Sequence, residues 1–173
     1  MIISILLDTC ALCPPKQEDK NAIVKLFELE DAGKIEKMEI AEATEEELAK
    51  LNKIPNELKN RIDGMIICLA KAHTQNERSQ IKQMETLLFP NKKNLSISDS
   101  RDVLILFTAF KYGHTHLITA NTKHFIENDK SKKLFNLFKI KTMTPDNCLK
   151  DVSEHLIWYN AHSEKMAKLR QQA

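Results

Sequence analysis

Ile2-Ile3-Ser4-Ile5-Leu6-Leu7-Asp8-Thr9 stands at the head of the chain, and its reading decides the fold. Ile2 to Leu7 is short, rich in isoleucine and broken by a single serine. A run this brief suits a strand buried on both faces, and Asp8 closes it. Strands buried on both faces belong to parallel sheets, and parallel neighbours need long crossovers, usually helical.

The rest of the chain supplies that alternation. Ile23, Leu26, Phe27 and Leu29 recur at helical spacing within 18–32, and Gly33 ends the helix. Ile35 to Ile40 reads as a second strand. Thr44 to Leu51 is a helix start that Thr44 can cap, with Pro55 beyond its end. Residues 55–90 read as helical: Leu58, Ile62, Met65, Ile66 and Leu69 recur at threes and fours, and Ile81, Met84, Leu87 and Leu88 continue. Leu95 to Ser98 carries no clear pattern. Asp102 to Tyr112 is a helix apolar almost all round, stopped by Gly113. Thr115 to Thr119 is a third strand, Leu134 to Phe138 closes another helix, and Lys139 to Met143 is a fourth strand. Pro145 suits the first turn of a last helix reaching about Asn160, with a polar, basic tail after it.

The expectation is therefore an α/β fold, three layers α/β/α, around a mostly parallel sheet of about four to five strands. Residues 1–150 make one domain with a helical insertion at about 55–90, and 151–173 add its C-terminal helix and tail. A length of 173 residues leaves little room for a second full domain. With 42% hydrophobic and 29% charged residues the composition is globular, and only three glycines and five prolines argue against a turn-rich all-β fold.

Net charge is +2, but it is unevenly spread. Residues 1–60 hold 13 acids against 8 bases, whereas 91–150 hold 11 bases against 5 acids. That asymmetry suits an acidic pocket beside a basic rim, although solvated helix faces produce it too. No apolar run reaches the roughly 18 residues of a membrane span, no basic stretch precedes Ile2, and a cytoplasmic location is expected. Cys10 and Cys13 form a C-x-x-C that His114 and His116 could extend, but no second Cys pair at zinc-ribbon spacing supports a zinc site.

Three acids sit where chemistry is possible. Asp8 follows a buried strand, where a carboxylate is costly unless compensated, though a helix-capping role explains it equally. Glu47 completes a capping box with Thr44 and would lie on the first turn of a helix. Asp102 directly precedes Val103-Leu104-Ile105, and Ser98, Asp99 and Ser100 already compete for the cap, which leaves a carboxylate to spare. Three converging carboxylates repel one another without a cation, and oxygen ligands favour Mg²⁺ or Mn²⁺.

In order, these segments resemble the motifs of PIN-domain ribonucleases. The apolar strand before Asp8-Thr9 is similar to the first. Ile40 through Glu47-Leu48 is similar to the second, and Asp102-Val103-Leu104-Ile105 through Gly113 to the third. Leu117-Ile118-Thr119-Ala120-Asn121, continuing through Lys123 and His124 to Phe125, and finally Thr144-Pro145-Asp146, are similar to the motifs that close the family's domain. The likeness covers residues 1 to about 150.

The resemblance implies a PIN-like fold and a metal-dependent endoribonuclease. Asp8, Glu47 and Asp102 would hold Mg²⁺ or Mn²⁺ and Asn121 would assist, with Thr9 and Thr119 orienting these ligands from behind. Lys123, Lys130, Lys132 and Lys133 would contact RNA phosphates. Stand-alone members include toxins held by an antitoxin protein, and the chain is compatible with such a partner and with a homodimer. Two departures stand out. Cys10 replaces a frequent Asn, and the fourth acid expected near Asn121 or His124 is absent from both. That absence supports the alternative of a catalytically weakened binding or assembly module, and a DNA-directed nuclease is a further reading.

Overall fold

The computed structural model describes residues 3–42, 61–62 and 64–171. Glu47, the Thr44–Leu51 helix start and Leu58 lie outside the described residues. Within them, strands β1 (Ser4–Leu7), β2 (Lys37–Ala41), β3 (Ile66–Ile67), β4 (His116–Ile118) and β5 (Lys141–Met143) alternate with seven helices. The helices are α1 (Thr9–Leu12), α2 (Gln17–Asp31), α3 (Gln75–Leu88), α4 (Ile97–Lys111), α5 (Thr122–Phe125), α6 (Lys130–Phe138) and α7 (Pro145–Gln171). No helix among the described residues is long and apolar enough to cross a membrane.

The five strands form one sheet in the order β3-β2-β1-β4-β5, parallel throughout. β1 lies at its centre, with Leu7 opposite both Ile40 of β2 and Ile118 of β4. Successive side chains of β1 serve opposite cores, as the pleat requires. Ile5 and Leu7 pack with α1, α2 and Val152 of α7. Leu6 packs with Leu117, with Met84 and Leu88 of α3, and with Ile105 and Leu106 of α4. These β1 residues have no solvent exposure. Burying a Leu or Ile contributes roughly 1.5–3 kcal/mol, so this one strand anchors both layers. The three-layer α/β/α arrangement follows directly.

Strand order also positions the site. From β1 the chain winds outward through β2 to β3, then returns to place β4 and β5 on the other side of β1. The winding reverses between β1 and β4, and in such sheets ligands bind outside the carboxyl ends of the strands at that reversal. Asp8 and Thr119 are the residues that follow β1 and β4 there. The backbone N–H of Asp8 donates to the Ile118 carbonyl at 2.9 Å and carries the β1–β4 ladder to the edge of the crevice.

Five elements depart from the sequence reading. The spacing of Met65, Ile66 and Leu69 predicts helix, but Ile66–Ile67 is a strand on the edge of β2, with the Ile40 N–H donating to the Met65 carbonyl at 2.8 Å. The helical insertion over 55–90 is thus, within the described residues, helix only at 61–62 and in α3. Helix α4 begins at Ile97, because Ser96 and Asp99 form its capping box. Helices α1 and α5 are single turns too short to show periodicity. Finally, α7 runs well past Asn160, to Gln171. Gly33 and Gly113 behave as read, each leaving its helix at positive φ, +66° and +72°.

Candidate functional site

Asp8 occupies the N-cap position of α1, yet its side chain makes no capping bond. It turns instead toward β4. Thr119 Oγ1 donates to Asp8 Oδ2 at 2.7 Å, and Cys10 Sγ donates to the same oxygen at 2.9 Å. The Thr119 hydroxyl also accepts the Asn121 N–H at 2.9 Å and lies 3.3 Å from Cys10 Sγ. Thr119 therefore ties the ends of β1 and β4 together through side chains. Thr9, by contrast, is buried on α1 and its hydroxyl bonds neither acid among the described residues. The residue beside Asp8 is Cys10, which the sequence offers as a departure from the motif and as half of a C-x-x-C, not as a partner of Asp8. Burial and the Asp8 charge push its thiol up to about 12.

Asp102 is likewise spared from capping. Ser96 Oγ accepts the Asp99 N–H at 3.1 Å, and Asp99 Oδ2 accepts the Ser96 N–H at 2.9 Å. Lys92 Nζ clamps both Asp99 oxygens at 2.8 and 2.7 Å. Those contacts hold the Asp99 carboxyl down at about 2, the Lys92 bond foremost. One turn on, Asp102 is free to face the crevice. Asn121 Nδ2 donates to Asp102 Oδ2 at 3.3 Å, and His124 Nδ1 stands 2.6 Å from the same oxygen. Burial raises the Asp102 carboxyl above its ordinary value; the nearby Asp8 charge adds to this and His124 opposes it. The two acids thus share one electrostatic neighbourhood, and each is less than a tenth exposed.

Three expected residues, Asp8, Asp102 and Asn121, are brought to one crevice. The amide of Asn121 serves as donor to Asp102 and, through Oδ1, as cap of α5 by accepting the His124 N–H at 3.4 Å. In both acids the described hydrogen bonds fall on Oδ2. Oδ1 receives none among the described residues and remains the carboxylate atom that a hard cation would take. Two buried carboxylates in one neighbourhood suit such an ion chemically. Among the described residues no group of three or more His, Cys, Asp or Glu side chains is arranged to hold a metal, and Glu47 lies outside them.

The Cys–His grouping is not assembled. His114 Nδ1 lies 2.9 Å from Ser4 Oγ, and its Nε2 lies 2.9 Å from Glu39 Oε2 without the alignment of a hydrogen bond. His116 Nε2 pairs with Asp151 at 3.0 Å. Both histidines are committed to the sheet's own network.

The lysines separate by role. Lys130 Nζ donates to the Leu88 and Lys123 carbonyls at 2.9 and 3.0 Å and so ties α6 to the end of α3. Lys132 is exposed and pairs with Asp129 at 3.2 Å. Lys123 and Lys133 are exposed. The motif likeness marks His124 only as a position lacking the expected acid; its contact with Asp102, 22 residues back, is made across β4. No family model matches the sequence, and neither does any curated protein.

Proposed function

We propose that the protein is a metal-dependent endoribonuclease of PIN-like fold, hydrolysing phosphodiester bonds of single-stranded or structured RNA in the cytoplasm. One observation carries this reading. Two buried carboxylates, Asp8 and Asp102, meet at the winding reversal of a parallel sheet, and neither serves the helix cap that would otherwise explain it. Asp8 and Asp102, with Glu47 as third acid, would hold Mg²⁺ or Mn²⁺. When bound, the ion supplies charge stabilisation to the phosphodiester and lowers the cost of deprotonating water. The chain's own part is orientation. Thr119 and Cys10 fix Asp8, Asn121 and His124 fix Asp102, and each carboxylate has one oxygen without a hydrogen bond among the described residues. A toxin held by an antitoxin is a narrower form of this reading.

The test is cleavage of a single-stranded RNA with Mn²⁺ or Mg²⁺, arrest by EDTA, and loss of cleavage in Asp8→Asn and Asp102→Asn. Asn retains size, so these variants should fold; wild-type rates in both would remove the reading. The second reading, a binding or assembly module without catalysis, is favoured by one specific contact. Asn121 and His124 together satisfy Asp102 without a cation. Absence of Mn²⁺-induced thermal stabilisation would select it.

A further inference from the structure

A cleft of about 380 Å³ opens between the C-terminal end of α3 and the start of α4. Its lining includes Lys82, Phe89, Lys92, Lys93, Asn94 and Ser100. The volume lies at the small end of ligand clefts, roughly 300–1,000 Å³. Three lysines outnumber the one carboxylate of the lining, Glu85, and the other groups include neutral polar ones, so the opening suits an anion better than an apolar molecule.

The cleft shares a wall with the acid crevice. Phe89 is buried, and its ring meets His124 edge-on, with centroids 5.0 Å apart. His124 in turn touches Asp102. Phe89 also carries Lys92 Nζ over its ring at 5.1 Å. A chain of contacts therefore runs from Asp102 through His124 and Phe89 to Lys92. Just behind Phe89, the Leu88 carbonyl accepts from Lys130 and holds the Lys123 backbone close by. The basic excess of residues 91–150 thus gathers partly around this aromatic wall.

The lysines are not equivalent. Lys92 is bound on both sides, by the buried Asp99 carboxylate and the Phe89 ring, and is fixed in place. Lys82 is 78% exposed and meets only Glu85, an i,i+3 surface pair of little strength. Lys93 is exposed and has no ion pair among the described residues. Lys82 and Lys93 can exchange water for phosphate at little cost.

We propose that this cleft binds the phosphodiester backbone of a single nucleic-acid strand as it leaves the Asp8–Asp102 crevice, with Lys82 and Lys93 as phosphate contacts and Lys92 as a fixed positive floor. The inference rests on the nuclease reading. It places the strand beside α3 and α4, whereas the sequence alone had pointed to Lys123 through Lys133.

The test measures binding, not cleavage. Fluorescently labelled single-stranded RNA and its DNA counterpart are titrated with the full chain in EDTA over a range of salt. Lys82→Ala/Lys93→Ala should weaken binding at least about tenfold at low salt and flatten the salt slope by about 1.4, the value for two lost contacts on a single strand. A control, Lys20→Ala/Lys25→Ala on α2, removes equal charge from the opposite face of the sheet and should leave both quantities close to wild type. Both pairs are exposed, and melting temperature verifies folding. Equal losses on RNA and DNA, or a loss on RNA alone, support the cleft. Wild-type affinity and slope in the cleft variant, or the same loss in the control, overturn it while leaving the nuclease reading standing. No binding of either strand by the wild-type chain at low salt overturns both.

Discussion

His124 Nδ1 stands 2.6 Å from Asp102 Oδ2, while Asp102 Oδ1 receives no hydrogen bond among the described residues. The imidazole is supplied by a one-turn helix whose cap, Asn121, also donates to Oδ2. Asp102 is thereby satisfied in the absence of metal, which explains how a raised, buried carboxylate persists next to Asp8.

His124→Asp is expected to reverse that balance. A third carboxylate beside Asp8 and Asp102 adds a negative ligand, and Mn²⁺ affinity should rise about tenfold, roughly 1.4 kcal/mol. In EDTA the same variant should melt lower than wild type, because like charges then crowd a buried crevice. Thermal melts with and without Mn²⁺ measure both. Unchanged Mn²⁺ affinity would mean that the ion does not sit against Asp102.

The two crevice acids should behave as a unit. Asp8→Asn and Asp102→Asn should each change stability by no more than about 1 kcal/mol in EDTA, since neither carboxylate holds a helix cap. Asp102→Asn should tend to stabilise, because it removes a charge that burial disfavours. The double variant should lose little more cleavage than either single one. Additive losses in single-turnover assays would indicate separate sites.

His114 makes stability depend on pH. Burial, with Lys37 nearby, lowers its imidazole to about 4 from an ordinary 6.5, although Glu39 opposes the shift. The unfolded chain accepts a proton near pH 6.5 that the folded chain refuses until about 4. Stability is therefore full above that range and declines as pH falls from about 6.5 to about 4, by on the order of 3 kcal/mol. His116, also lowered by burial, acts in the same direction. His114→Gln cannot titrate, and urea unfolding at pH 7 and pH 4.5 should show a smaller difference in it than in wild type.

The thiols should react in two classes. Cys13 and Cys68 are exposed, and Cys148 is buried. Cys10 is held against Asp8, and its thiol is pushed up to about 12. Ellman's reagent at pH 8 should titrate two thiols promptly and the other two only after denaturation. Prompt reaction of Cys10 would show that its bond to Asp8 is not maintained in solution.

The strands at the centre of the sheet and the helices α2, α4 and α6 were legible because their signals are local. Ile5-Leu6-Leu7 has no polar face to expose, and Gly33 and Gly113 stand where a chain must turn at positive φ. Asp8 and Asp102 are legible for the same reason, since each adjoins an apolar run, whereas Thr119 and Asn121 rest on the family resemblance alone. Other features were decided by tertiary structure. Ile66–Ile67 is too short to carry a period and becomes a strand only because β2 offers an open edge. The contacts of Cys10 with Asp8 and Thr119, and of His124 with Asp102, and the wall that Phe89 builds between crevice and cleft, join residues from different elements. Hydrophobic periodicity records which face of an element is buried. It holds no record of which polar side chains meet once buried faces have packed, because that depends on strand order, and strand order is a property of the whole sheet.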